Sequence, residues 1–219
     1  VERLLLISSS EVGKRAAQHQ AVIDAAKTAG VGFIAYTSIL RADTSPMGLA
    51  VEHRATEAAL KESGLPHALL RNGWYTENYV QSASAALAHG ALLGAAGEGK
   101  ISGASRADYA AAAVKVLTGE ASSKTYELAG DDAFTLTQFA RALSDITGKP
   151  VVYKDLPEAD YAAALKGAGL PAPVADMLAE SDAKAAKGSL FDDSHALSGL
   201  IVRPTTPFRE TLAAGLNGR

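Results

Sequence analysis

Short apolar runs closed by small polar residues alternate along this chain with longer stretches whose apolar residues recur every third or fourth position. The first run, Leu4-Leu5-Leu6-Ile7, stops at Ser8-Ser9-Ser10. An unbroken apolar run of this kind predicts a strand covered on both faces, as in a parallel sheet. Such a strand needs a neighbour on each side, so the pattern predicts that the fold starts before Val1. A helix follows from about Lys14 to Ala29, with Ala16, His19, Val22, Ile23 and Ala26 on one face and Gly30 as its stop. Val31 to Ser38 is a second strand. Ser45-Pro46 opens a second helix that runs to Ser63 and ends at Gly64, and Pro66 to Arg71 is a third strand.

Strand, helix, strand, helix, strand in close succession is the pattern of right-handed crossovers that build a parallel sheet. All three strands end in polar residues: Ser8-Ser9-Ser10, Thr37-Ser38 and Arg71-Asn72. Ligands of open α/β sheets bind at the carboxyl ends of the strands. Serine also favours turns, so any one of these endings alone says little; three together point to a site. Further on, residues 90–94 and 100–104 are expected to flank a glycine-rich hairpin turn. Helices are expected at Arg106–Leu117 and Thr135–Thr147, strands at Lys124–Gly130 and Val151–Tyr153, and mostly helix after that. The expected fold is α/β, a Rossmann-type parallel sheet with helices on both faces, its first strands missing. A smaller, mostly α C-terminal subdomain completes it. The domain boundaries read as 1–130, with 74–100 contributing to the cleft, and 131–219.

Composition narrows the function classes. The 219 residues are 47% hydrophobic with a net charge of −3, which is unlike the basic footprint of a nucleic-acid binder. There is no cysteine, which excludes disulfides, thiolate metal sites and cysteine nucleophiles. Glu2 and Arg3 precede only four strongly apolar residues, unlike a signal peptide. No apolar stretch approaches the roughly 20 residues of a membrane span. A cytoplasmic location is expected. The five histidines show no metal-ligand spacing, so no metal is expected. Gly94–Gly99 is glycine-rich but leads into no helix N-terminus, which makes it a poor phosphate cradle. Asp192-Asp193 lacks a calcium-loop pattern and is read as a helix cap.

The chemistry concentrates at Arg71-Asn72-Gly73-Trp74-Tyr75-Thr76-Glu77-Asn78-Tyr79, which sets the chain's only Trp directly after a parallel strand. Gly73 lets the backbone turn tightly or approach a ligand closely, and an Asn amide suits a ligand carboxamide. The competing reading is an aromatic plug, with Asn78 capping a helix. His53 and Glu57, four apart, share a helix face. A carboxylate-oriented histidine can protonate a carbonyl oxygen; the competing reading is a surface ion pair or a satisfied edge histidine. None of the seven tyrosines has Lys four residues later.

Together with Leu5–Glu11, Ala35-Tyr36-Thr37-Ser38, Gly97–Lys100, Ser105–Ala110 and Phe191-Asp192-Asp193, the 70–79 segment resembles the NmrA-like branch of atypical short-chain dehydrogenase/reductases. Within that branch it is most similar to the bacterial NAD(P)H:quinone oxidoreductases. The resemblance spans nearly the whole chain. It implies an enzyme that passes a hydride from NADPH, with NADH open as the alternative donor, to a small-molecule quinone. The rival it implies is a non-catalytic NAD(P) sensor of the NmrA type. By resemblance, Ile7, Ser8, Ser9, Ser10, Thr37, Asn72, Gly73, Trp74, Tyr75, Thr76, Glu77 and Asn78 bind the cofactor. Trp74 and Tyr75 also line the quinone cleft, and His53-x-x-x-Glu57 occupies the slot of the superfamily's Tyr-x-x-x-Lys pair, making His53 the candidate catalytic residue. Neither a nucleic acid nor a membrane span is expected, and a homodimer is left open. Family members carry a glycine-rich phosphate loop and a residue reading the 2′-phosphate upstream of this segment. The 219-residue chain alone is therefore expected to bind NADPH weakly or not at all and to associate through the edge at Leu4–Ile7.

Overall fold

The structure, a computed structural model, describes residues 1–217; residues 218 and 219, the end of the expected C-terminal unit, lie outside the described residues. The elements are β1 (Arg3–Leu6), α1 (Arg15–Thr28), β2 (Phe33–Ile39), α2 (Ala50–Ser63), β3 (His67–Asn72), α3 (Thr76–His89), β4 (Ala91–Gly94) and α4 (Arg106–Thr118). There follow β5 (Lys124–Leu128), α5 (Leu136–Thr147), β6 (Val152–Asp155), α6 (Glu158–Gly167), α7 (Ala172–Ala185), α8 (Ala196–Ile201) and α9 (Phe208–Asn217). The main sheet is parallel throughout, in the order β1-β2-β3-β5.

Its central strands are apolar on both faces because both are covered. Phe33, Ala35, Ala68 and Leu70 pack toward α4 and α8 with Tyr109, Val116 and Leu197. The intervening Ile34, Tyr36 and Leu69 pack toward α1 and α2 with Ile23, Ala26 and Leu60. That is the period-two alternation of a strand read on two cores. Gly64, at φ +72°, closes α2 in the left-handed conformation, and a reciprocal capping box between Thr135 and Gln138 opens α5. The largest core joins Ile39, Met47, Trp74 and Tyr79 to Phe134, Phe139, Leu143 and Phe208, and so runs across the boundary expected at residue 130.

β1 pairs only with β2, which leaves Leu4 and Leu5 half-buried and Ile7 67% exposed, the open edge expected at Leu4–Ile7. Two expectations are corrected. Residues 90–104 form no hairpin: β4 pairs in parallel with the distant β6, Ile101 bridges to Phe134 and Ala104 to Tyr75. Of the glycines between them, Gly97 takes a positive φ of +50° and Gly99 serves close packing. A Cβ on Gly99 would stand 2.3 Å from the Ala185 carbonyl oxygen at the end of α7. Finally, Asp192 does not cap α8, whose flanking residue is His195. Its carboxylate accepts hydrogen bonds from the Ser194 backbone N–H at 3.1 Å and hydroxyl at 2.5 Å, one turn earlier.

Candidate active site

The carboxyl ends of β1, β2 and β3 open onto one cleft with two lobes. One lobe lies along the loop after β1, lined by Ile7, Ser8, Ser9, Ser10, Tyr109 and Ala110. The other runs under α7, lined by Leu49, His53, Trp74, Val174, Met177 and Leu178. Ser8, Arg15, Thr37, Asn72, Tyr75 and Arg106 line both. Ten of the twelve expected cofactor-binding residues therefore border the cleft: Ile7, Ser8, Ser9, Ser10, Thr37, Asn72, Gly73, Trp74, Tyr75 and Asn78. Thr76 and Glu77 do not. Thr76 is fully buried where a Cβ on Gly103 would touch its hydroxyl, and Glu77 accepts the backbone N–H of Arg106 at 2.9 Å.

Each wall has a local cause. The serine loop is tied back by Thr37, whose hydroxyl accepts the Ser8 N–H at 2.9 Å, and by His19, whose Nε2 accepts the Ser9 N–H at 3.0 Å. Gly73 is required by packing, since a Cβ there would lie 3.0 Å from the Tyr109 hydroxyl and 3.2 Å from the Leu128 carbonyl oxygen. The close approach expected of it is thus to protein. Trp74 is 8% exposed, with one side in the main core. Tyr75 stands edge-on to Tyr109 with ring centres 5.3 Å apart, and the Arg106 guanidinium lies 4.9 Å over its ring. Asn78 does not cap α3; its side-chain oxygen accepts a 3.0 Å hydrogen bond from Arg106.

His53 and Glu57 do not meet as expected. His53 Nδ1 pairs with the Tyr36 hydroxyl at 2.8 Å, at the foot of the cleft. Burial, reinforced by the nearby Arg15 and His19, drives the His53 pKa down to about 3, so the ring is neutral in ordinary buffers. Burial also pushes the Tyr36 phenol well above its usual range. Glu57 turns the other way and takes a two-pronged grip on Arg71, at 2.7 and 3.0 Å, while Ser38 donates to it at 2.5 Å. The shared helix face was real, but the strand beneath it offered each side chain a better partner.

One atom marks the cleft as built for a ligand. Asn72 is 5% exposed, and its buried side-chain oxygen has no hydrogen-bond partner. An unpaired buried acceptor is costly, and Asn72 lies where the two lobes join. A ligand N–H or O–H there would satisfy it, and a nicotinamide carboxamide carries such a donor. The aromatic wall beside it suits a flat ring. The residues present thus fit a nicotinamide cofactor. Among the described residues no group of three or more His, Asp or Glu could hold a metal ion, and no helix is long and apolar enough to cross a membrane.

The model of the NmrA-like family matches residues 3–205. The chain belongs to the NmrA-like family. Within it, quinone oxidoreductase 2 of Escherichia coli (strain K12) is 63% identical over 215 residues, which are 97% of this chain and 75% of that protein. The crystal structure of the Escherichia coli NADPH-dependent quinone oxidoreductase QOR2 complexed with NADPH superposes with a TM-score of 0.96 at 61% identity, covering 99% of this chain and 77% of that one. The NADP(H) complex of Citrobacter sp. triphenylmethane reductase, 35% identical, superposes with a TM-score of 0.93 over 98% of this chain and 77% of that one.

For this NmrA-like chain, sequence reasoning missed Arg15, Arg106, Gln81 and the α7 residues of the cleft. Arg15 and Arg106 had a signal. Each is the first residue of a helix, where the helix dipole disfavours a cation. The α7 residues had none, because their place depends on long-range packing.

Proposed function

We propose that this chain is an NADPH-dependent quinone reductase whose cleft holds a quinone beside the reduced nicotinamide. The observation that carries the reading is the buried, unpartnered Asn72 oxygen next to the Trp74–Tyr75 wall. The likeness to QOR2 supports the same chemistry. When bound, NADPH supplies the hydride from nicotinamide C4, and the quinone, on also taking one proton from solvent, becomes hydroquinone. The chain's residues position and exclude water. Asn72 offers its acceptor to the carboxamide, Ile7–Ser10 and Thr37 border the rest of the cofactor, and Trp74 and Tyr75 flank the quinone. Residues 131–219 act in this reading as a cap, of which α7 reaches the cleft.

His53 acts here as a neutral hydrogen-bonding group. Its Nε2 has no hydrogen-bond partner among the described residues, and the Tyr36 hydroxyl fixes the ring through Nδ1. With its pKa near 3, it is no charged acid at neutral pH. Quinone reduction tolerates this, because the hydroquinone anion is already a stable product. The rate is therefore expected to show no step from His53 between about pH 5 and pH 8, and His53→Gln to lower kcat about tenfold.

The test mixes the protein with NADPH and a simple benzoquinone and follows loss of the nicotinamide absorbance. Quinone-dependent oxidation is expected. Tight NADPH binding without turnover across several quinones would point instead to an NAD(P)-sensing regulator.

A further inference from the structure

We infer that Arg15 and Arg106 form an anion clamp in the cleft, and that the preferred quinones carry an acidic substituent, a carboxylate or a sulfonate, beside the reacting ring. The inference rests on the quinone-reductase reading.

What sets the two arginines apart is their place: of the described arginines without an ion pair, Arg3, Arg54 and Arg141 lie outside the cleft, whereas Arg15 and Arg106 line both of its lobes. Arg41, Arg71, Arg203 and Arg209 each lie within ion-pairing distance of an aspartate or glutamate. Arg15 and Arg106 form no ion pair among the described residues. Arg15 uses only Nε, donating to the Ser9 carbonyl oxygen at 2.6 Å, which leaves its two terminal nitrogens without a hydrogen-bond partner among the described residues. Arg106 uses only Nη2, on the neutral Asn78 oxygen, and lies over the Tyr75 ring. Both contacts hold the guanidinium in place without a carboxylate beside it.

Placement adds to the charge. Each arginine is the first residue of its helix, α1 or α4, where the dipole is already positive. The backbone N–H groups there are satisfied from elsewhere: Glu52 accepts those of Gly13 and Arg15, and Glu77 accepts that of Arg106. Neither carboxylate reaches the guanidiniums. The helix ends therefore need no ligand, and the guanidiniums are left open to one. Breaking a local electrostatic rule twice, at one cleft, is a cost expected only where function repays it. Arg15 also acts across the cleft, since its charge lowers the His53 pKa. The buried Asn72 oxygen between the lobes adds a polar atom there without a partner among the described residues, open to a polar ligand. A guanidinium fork matches the paired oxygens of a carboxylate or sulfonate.

The cofactor's phosphates share this anionic chemistry, so the experiment separates the two sources. The complete protein is assayed with 1,4-naphthoquinone and with its 2-sulfonate, and kcat/KM for each and KM for NADPH are measured. Expected is a ratio of acidic to neutral kcat/KM that falls about tenfold in Arg106→Gln and in Arg15→Gln, is largely kept in Arg106→Lys, and declines with added salt in the unaltered protein. A ratio unmoved by substitution and by salt would overturn the clamp, as would an effect confined to KM for NADPH, which would assign the arginines to cofactor phosphate. If a Gln variant fails to fold, the salt dependence of the ratio decides. Absence of NADPH oxidation with either quinone would overturn the quinone-reductase reading itself, a result distinct from an unchanged ratio.

Discussion

Arg71 and Asp182 are both ionisable, both nearly buried, and both tie together elements that border the cleft, yet only one has a counter-ion. Arg71, 8% exposed on β3, is met by Glu57 at 2.7 Å, Glu127 at 2.8 Å and Asp43 at 3.0 Å. These contacts, with Glu57 foremost, raise its pKa further still, so it stays charged. Asp182, 4% exposed on α7, is held by the Tyr79 hydroxyl and the Ala95 backbone N–H, both at 3.1 Å, and faces no cation. Tyr153, Tyr161 and Asp155 are its other titratable neighbours, and burial raises its pKa to about 6. The first cluster fixes the ends of β2, β3 and β5 at any ordinary pH. The second seats α7, which lines the cleft, on a carboxylate whose charge changes near pH 6. The sheet side of the site is thus electrostatically locked, and the α7 side is not.

The comparison breaks most visibly at Arg71. Arg71→Met leaves Glu57 without its counter-ion, and stability to urea is expected to fall by about 3–5 kcal/mol, the usual result of removing one partner of a buried pair. Next comes pH. The raised pKa of Asp182 means the folded state favours the protonated acid, so its contribution to stability is full below the ordinary value of 3.8 and is lost as pH rises through about 6. Asp182→Asn removes that dependence. The stability of wild type relative to the variant is expected to drop by up to about 3 kcal/mol between pH 4 and pH 8. The buried His53 pulls the other way, because its depressed pKa favours folding above 6.5, and the difference between the two proteins cancels it. Tyr79→Phe sharpens the contrast. It takes one donor from Asp182, costs about 1 kcal/mol at pH 8 and less at pH 4. The smallest effect is expected from Ser38→Ala. Glu57 keeps its grip on Arg71, and thermal unfolding should register about 0.5–1 kcal/mol with no pH dependence near 6.

The same divide separates what was legible in the sequence from what was not. On the sheet side, each strand and helix announces itself locally: apolar runs stop at Ser8, Thr37-Ser38 and Asn72, and Gly64 closes α2. Most residues lining the cleft from this side followed, because a parallel sheet puts its strand ends together. Partners did not follow. Spacing placed His53 and Glu57 on one face but could not show that Tyr36 and Arg71 lay beneath them. On the α7 side, β4 and β6 are short strands far apart in sequence, and a local pattern carries no trace of such a pairing. Nor does it show that Asp182 would be buried without a cation, or that Met177 and Leu178 would face the cleft. The edge position of β1 was legible for a related reason: an apolar run reports what a strand can bury, and nothing in the chain offered it a second neighbour.

The central claim is that hydride passes directly from cofactor to quinone in this cleft, and NADPH deuterated at nicotinamide C4 tests it most directly. With a simple benzoquinone in a single turnover, oxidation should be slower for the deuterated cofactor of one C4 face than for ordinary NADPH, and strictly dependent on quinone. Oxidation that is independent of quinone, or no oxidation of bound NADPH at all, would contradict it.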